Sequence, residues 1–160
     1  MKYEDAPDLQ KIAEEISRLL FPHVKIERTK CFRSHGSSSR GTIARCHTIG
    51  KLMQKTIGVD AHYALEFISE RFDKLSEEEK IKVIIHELMH IPQTFGGGFR
   101  HHDHVCDKNI NACYRTYREK KKELDEGDIL GLKELRWKNQ DNFKQMRDMA
   151  KNAGKSFFSF

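Results

Sequence analysis

The stretch Ser76-Glu77-Glu78-Glu79-Lys80-Ile81-Lys82-Val83-Ile84-Ile85-His86-Glu87-Leu88-Met89-His90-Ile91-Pro92 decides how this chain is read. Ser76 followed three residues later by Glu79 has the form of a capping box, and no helix breaker follows until Pro92. The spacing therefore predicts a helix from about Ser76 to Ile91. On it, His86 and His90 lie one turn apart on the same face, with Glu87 projecting beside them. Two imidazoles so placed can hold one metal ion from the same side, and the carboxylate is positioned to act as its general base. Ile81, Ile84, Ile85, Leu88 and Ile91 form the apolar stripe that would bury the helix. The histidines lie off the centre of that stripe, whereas a core histidine pair would fall within it.

A zinc site of this kind needs a third protein ligand from a segment that folds back. Downstream, Gly96-Gly97-Gly98 offers a permissive turn, and His101, His102 and His104 follow as candidate donors. From Asp103 the pattern is again helical, through Tyr117 and into Lys122, with Asp125-Glu126-Gly127-Asp128 expected to break it. Ile129 to Ala153 reads as a final polar helix. The organisation expected is one domain over residues 1–160, with 123–160 as a helical C-terminal extension.

Upstream, Leu9, Ile12, Ala13, Ile16, Leu19 and Leu20 recur with helical period between Pro7 and Pro22. Val24, Ile26 and Thr29 to Phe32 suggest a strand, and Arg33 to Gly41 a polar Gly/Ser loop. Thr42 to Ile49 is the expected returning strand of a hairpin. Lys51 to Thr56 has room for a short helical piece. In His62 to Ser69, Tyr63, Leu65 and Phe67 alternate with Ala64, Glu66 and Ile68, which predicts a further strand.

Composition sets the class. The chain has 160 residues, 38% hydrophobic and 33% charged, as expected of a globular protein with a heavily ionised surface. The polar start Met1-Lys2-Tyr3-Glu4-Asp5 and the lack of a bilayer-length apolar run predict no signal peptide, no membrane partner and a cytoplasmic setting. A net charge of +5 leaves nucleic-acid binding open without favouring it, since bases and acids interleave in Arg118-Glu119-Lys120-Lys121-Lys122-Glu123. Cys31, Cys46, Cys106 and Cys113 form no CxxC pair and read as buried thiols. A second metal site recruiting Cys106 and Cys113 is a minor alternative.

The segment from Tyr63 to His102 resembles the metallopeptidase family of archaea and phages, a minimal branch of the zincins. The likeness rests on Glu70 to Ser76, the HExxH pentapeptide, Ile91-Pro92, Phe95-Gly96-Gly97 and Arg100-His101-His102. Cys31 to Ser34 and Arg40 to Arg45 extend it over roughly residues 20–105. The resemblance implies an α+β, zincin-like fold, with a small, mostly antiparallel sheet, an active-site helix and additional C-terminal helices. It also implies a zinc-dependent peptidase, and it points to His102 as the third ligand beside His86 and His90, with His101 and His104 as rivals. One Zn2+ would leave a position for water, and Glu87 would take that water's proton as it attacks a peptide carbonyl. Arg100, His101, His104 or Tyr114 could supply a donor to the developing oxyanion. By the same resemblance, His62 to Ser69 would form the sheet edge that binds an extended polypeptide substrate. Two other readings remain: a DNA-associated protease or nucleic-acid binder, and a non-catalytic zinc module closed by a fourth ligand from His101 to Cys106.

Overall fold

Helix α1 spans Pro7–Leu20, with proline in its first turn and Leu9, Ala13 and Ile16 on its buried face. The computed structural model describes residues 1–128; the helix expected over 129–153 lies outside the described residues. The chain divides into two compact units, Met1–Arg118 and Glu119–Phe160. All the labelled elements belong to the first.

The motif helix, α4 (Glu77–Met89), starts as its sequence predicts. The Ser76 side chain accepts from the Glu79 backbone N–H, and the Glu79 carboxylate accepts from Ser76 N at 2.9 Å. Such a cap is worth about 1 kcal/mol. Ile84, Ile85, Leu88 and Ile91 are fully buried, and each contributes about 1.5–3 kcal/mol by leaving water.

Four strands form one mixed sheet: β1 (Lys2–Asp5), β2 (Thr29–His35), β3 (Ala44–Thr48) and β4 (Tyr63–Ile68), in the order β1-β2-β4-β3. The β1/β2 and β3/β4 pairings are antiparallel, and β2/β4 is parallel, from Thr29↔Tyr63 to Ser34↔Ile68. The architecture is α+β. The hairpin expected between β2 and β3 does not form, because β4 lies between them. Leu65 and Phe67 on one face of β4 and Glu66 and Ile68 on the other are all buried, as an interior strand requires. β3 is left at the edge with every residue at least partly exposed.

Other local expectations are corrected too. Ile26–Arg28 is a 3-10 turn rather than strand. β1 was not anticipated, since its four residues are all exposed and its pairing depends on the distant β2. Short helices α2 (Lys51–Ile57) and α3 (Ser69–Phe72) flank β4 in sequence. Residues 107–128 are helical, so Asp125 to Asp128 is not a break. One glycine in a helix costs only about 1 kcal/mol, which neighbouring turns can absorb.

α1 packs on β2 and α4 on β3, and the two helices also pack on each other. Arg33 of β2 reaches α1 with a two-pronged ion pair to Asp8, 2.7 Å at each oxygen, and holds the Asp8 carboxyl down at about 2 against an ordinary 3.8. A depressed carboxyl stabilises the fold above its unfolded pKa and loses that contribution as pH falls through the folded one. Because Asp8 is largely exposed, solvent screening limits the gain to about 1 kcal/mol. Asp8→Asn is therefore expected to lower stability by about that amount at pH 7, with the gap from wild type closing between pH 4 and 2. Urea titrations at pH 7 and pH 2.5 check this; a gap of constant size would contradict it.

Candidate metal centre

The last turn of α4 presents His86, its C-cap is His90, and the chain beyond Pro92 is turned back toward them by a clamped loop. Tyr63 of β4 does much of the clamping: its hydroxyl donates to Gly98 O at 2.9 Å and accepts from Gly97 N at 3.0 Å. Gln54 of α2 donates through Nε2 to Ile49 O at 2.6 Å and to Gly96 O at 3.2 Å. Gly97 has φ +90°, and a Cβ there would meet Ile49 O at 2.5 Å and Gln54 Nε2 at 2.2 Å. Only glycine fits this position. Gly97→Ala is expected to cost at least about 2 kcal/mol of stability, through backbone strain and steric overlap, and to weaken metal binding about tenfold or more by displacing the returning segment. Thermal melts and zinc titrations would show both effects; an unchanged melt would remove the steric argument.

The loop then closes a ring of two hydrogen bonds on the end of α4. Arg100 N donates to His90 O at 2.8 Å, and His90 Nδ1 donates to Arg100 O at 2.8 Å. That second bond fixes the tautomer of His90 and turns its Nε2 lone pair outward. Two residues on, His102 faces the pair. Ring centroids are 5.0 Å apart for His86 and His90, 5.7 Å for His86 and His102, and 4.9 Å for His90 and His102. One ligand nitrogen from each lies within 4.8 Å of the others, a spread that a single ion can draw together.

Electrostatics suit a cation. Burial, and then the neighbouring His90 and His102, hold His86 below its ordinary pKa. His90 is also lowered, by burial first, against the bond to Arg100 O, which favours its charged form. Neutral imidazoles keep their lone pairs for a metal, so the residues present fit the ion expected here. Glu87, 6% exposed, is pushed up to about 7 by burial, with a backbone hydrogen bond from Cys46 pulling the other way.

These groups open on a cleft of about 510 Å³, whose walls are the end of α4, the segment Phe99 to His102 and the strand β3 from Ala44 to His47. The strand beside the cleft is thus β3, and the expected edge strand, His62 to Ser69, is interior. Sequence reasoning gave β3 no role; the signal available was the period-two pattern Arg45-Cys46-His47. Of the proposed oxyanion donors, Arg100 and His101 line the cleft, whereas His104 does not and Tyr114 lies under the Lys82 ammonium at 5.0 Å. His86, His90 and His102 come together; His101 stands at the rim, and His104 is outside the group. All four cysteines are free thiols, and among the described residues none joins a metal-ligating cluster. A larger hollow of about 620 Å³, beside α1, likewise contains no such cluster among the described residues.

With this geometry in place, the comparison with known families is decisive at the level of the family. Residues 1–126 match the family described as "Putative phage metallopeptidase". The chain belongs to this family. The match takes in all four strands, helices α1 to α4 and the three histidines, and so extends the likeness read from residues 20–105 in both directions. Membership assigns the chain to a group named for metal-dependent hydrolysis of peptide bonds. No curated protein matches the chain significantly, and neither does any solved structure. Among the described residues, no helix is long and apolar enough to cross a membrane.

Proposed function

We propose that the chain is a zinc-dependent metallopeptidase of zincin-like fold, with His86, His90 and His102 holding one Zn2+ and Glu87 serving as its catalytic base. The observation that carries this reading is the convergence of three imidazoles, one buried carboxyl group and an exposed sheet edge on a single cleft. When bound, zinc supplies a Lewis acid that polarises the scissile carbonyl and makes water a better acid. Glu87 accepts the proton of the attacking water on a carboxylate oxygen and delivers it to the leaving nitrogen. Its burial strengthens this role, because a carboxyl in a water-poor site binds a proton more readily than an exposed one. The Cys46 hydrogen bond aims that carboxyl at the edge of β3.

An extended polypeptide is the natural substrate, since β3 is an edge strand of the sheet, with the Cys46 N–H on its outer side given to Glu87 and the rest of that edge bordering the cleft. Arg100 and His101 are within the cleft to donate to the oxyanion. No fourth His, Cys, Asp or Glu among the described residues joins the three histidines, which supports an open, catalytic site over a closed structural one. The four free thiols support a reducing, cytoplasmic setting. The test is to incubate zinc-loaded protein with an unfolded polypeptide and identify the products by mass. New termini that form with zinc and not after chelation are expected; cleavage indifferent to chelation would sink the reading.

A further inference from the structure

This inference rests on the peptidase reading and concerns the choice of substrate. The cleft is lined by two permanent cations, Arg45 and Arg100, and by His47 and His101 besides the three metal-site imidazoles. Among its described lining residues, the sole acid is Glu87, which is buried and already has a role. A second carboxylate, Glu66, lies behind the wall, only 2% exposed. His47 Nε2 meets it at 2.7 Å, whereas Arg45 Nη1 stands 3.4 Å from each of its oxygens. Arg45 and His47 thus share one buried acid, the imidazole holding the short bond. The Arg45 guanidinium is 31% exposed, and a guanidinium has five N–H donors, of which only those on Nη1 meet Glu66.

Sheet register says where a peptide would meet that guanidinium. Arg45 pairs with Glu66 and His47 with Ala64, so Arg45, His47 and Glu66 share one face of the sheet, while Cys46 points to the other. A peptide laid along the outer edge of β3 would put the residue across from Arg45 on the Arg45 face, with Cβ atoms about 5 Å apart. The next residue along would turn toward the face that carries Glu87 and His86. We propose that the cleft selects peptides with a carboxylate side chain on the residue across from Arg45, adjacent to the residue presented to Glu87. A carboxylate there completes the donors that Glu66 leaves unspent, and a lysine there faces Arg45 with like charge.

The test uses two readouts on the full chain loaded with zinc. Blocked peptides identical except for Asp, Asn or Lys at one position, scanned along the sequence, are compared by kcat/KM. The same peptides carrying a fluorophore are titrated by anisotropy into the inactive Glu87→Ala protein. A preference of about tenfold for Asp over Asn at one register is expected in both, with Lys lowest, and the Asp/Asn ratio should fall toward one in Arg45→Gln. Equal handling of Asp, Asn and Lys by the wild type overturns the proposal, as does an Asp/Asn ratio untouched by Arg45→Gln. A preference seen only when the peptide has a free carboxyl terminus assigns the cations to a chain end and overturns the side-chain assignment. Displacement of the acidic peptide by duplex DNA at matched low ionic strength assigns them to nucleic acid instead and also overturns it. Selective binding without any cleavage overturns the peptidase reading alone, and cleavage without selectivity overturns the carboxylate site alone.

Discussion

Glu87→Gln is expected to lower kcat/KM for peptide hydrolysis by about 10²–10⁴-fold while leaving one zinc bound per chain. The substitution keeps the size of the side chain and an oxygen for the Cys46 backbone hydrogen bond, and removes only the ability to take and return a proton. The site tolerates a neutral group, since burial already pushes the carboxyl up to about 7. The fold should therefore survive intact, with a melting temperature near that of wild type. Metal content by elemental analysis, a thermal melt and kcat/KM on one peptide together separate a lost base from a lost fold. Full activity in a zinc-loaded Glu87→Gln protein would place the base elsewhere.

The second large effect concerns the metal itself. If one zinc binds the folded chain and not the unfolded one, free zinc at about 1,000 times its Kd stabilises by about 4 kcal/mol. For a chain of this size that corresponds to a rise of roughly 8–16 °C in Tm. His86→Ala, His90→Ala and His102→Ala are each expected to abolish that rise, whereas His101→Ala and His104→Ala should retain it. His102→Ala is the cleanest of these, because His102 is exposed, while His90 also anchors Arg100. Zinc titrations followed by melts decide the matter. A rise that persists in His102→Ala and vanishes in His101→Ala would reassign the third ligand to the neighbouring residue.

Legibility along this chain follows the range of the interactions involved. The bounds of α1 and the cap of α4 were readable because a helix is held by hydrogen bonds between near neighbours, and Pro7, Ser76, Glu79 and Pro92 act within one turn of where they stand. β4 was readable from its alternation. The partners of β4 were not, since a strand's own pattern tells which face it buries and not which strands lie beside it. A hairpin of β2 and β3 satisfies the local pattern equally well; burial of both faces of β4 is what requires it to lie between them. β1 carries no apolar alternation at all, and its order comes from β2.

The site divides along the same line. By itself the sequence determined the two imidazoles and the carboxylate of His86-Glu87-Leu88-Met89-His90, because a helical turn places them together whatever surrounds the helix. It also supplied three downstream histidines, among which spacing did not choose and the family resemblance pointed to His102. Tertiary structure alone decided that the bonds between His90 and Arg100, with Tyr63 and Gln54 clamping the glycine turn, carry His102 to the pair and leave His101 at the rim. It likewise decided that β3 borders the cleft and that Glu87 is desolvated against Cys46. Spacing along a helix is a local, periodic property of the chain, whereas loop return, sheet order and desolvation arise only when segments distant in sequence exclude water from one another.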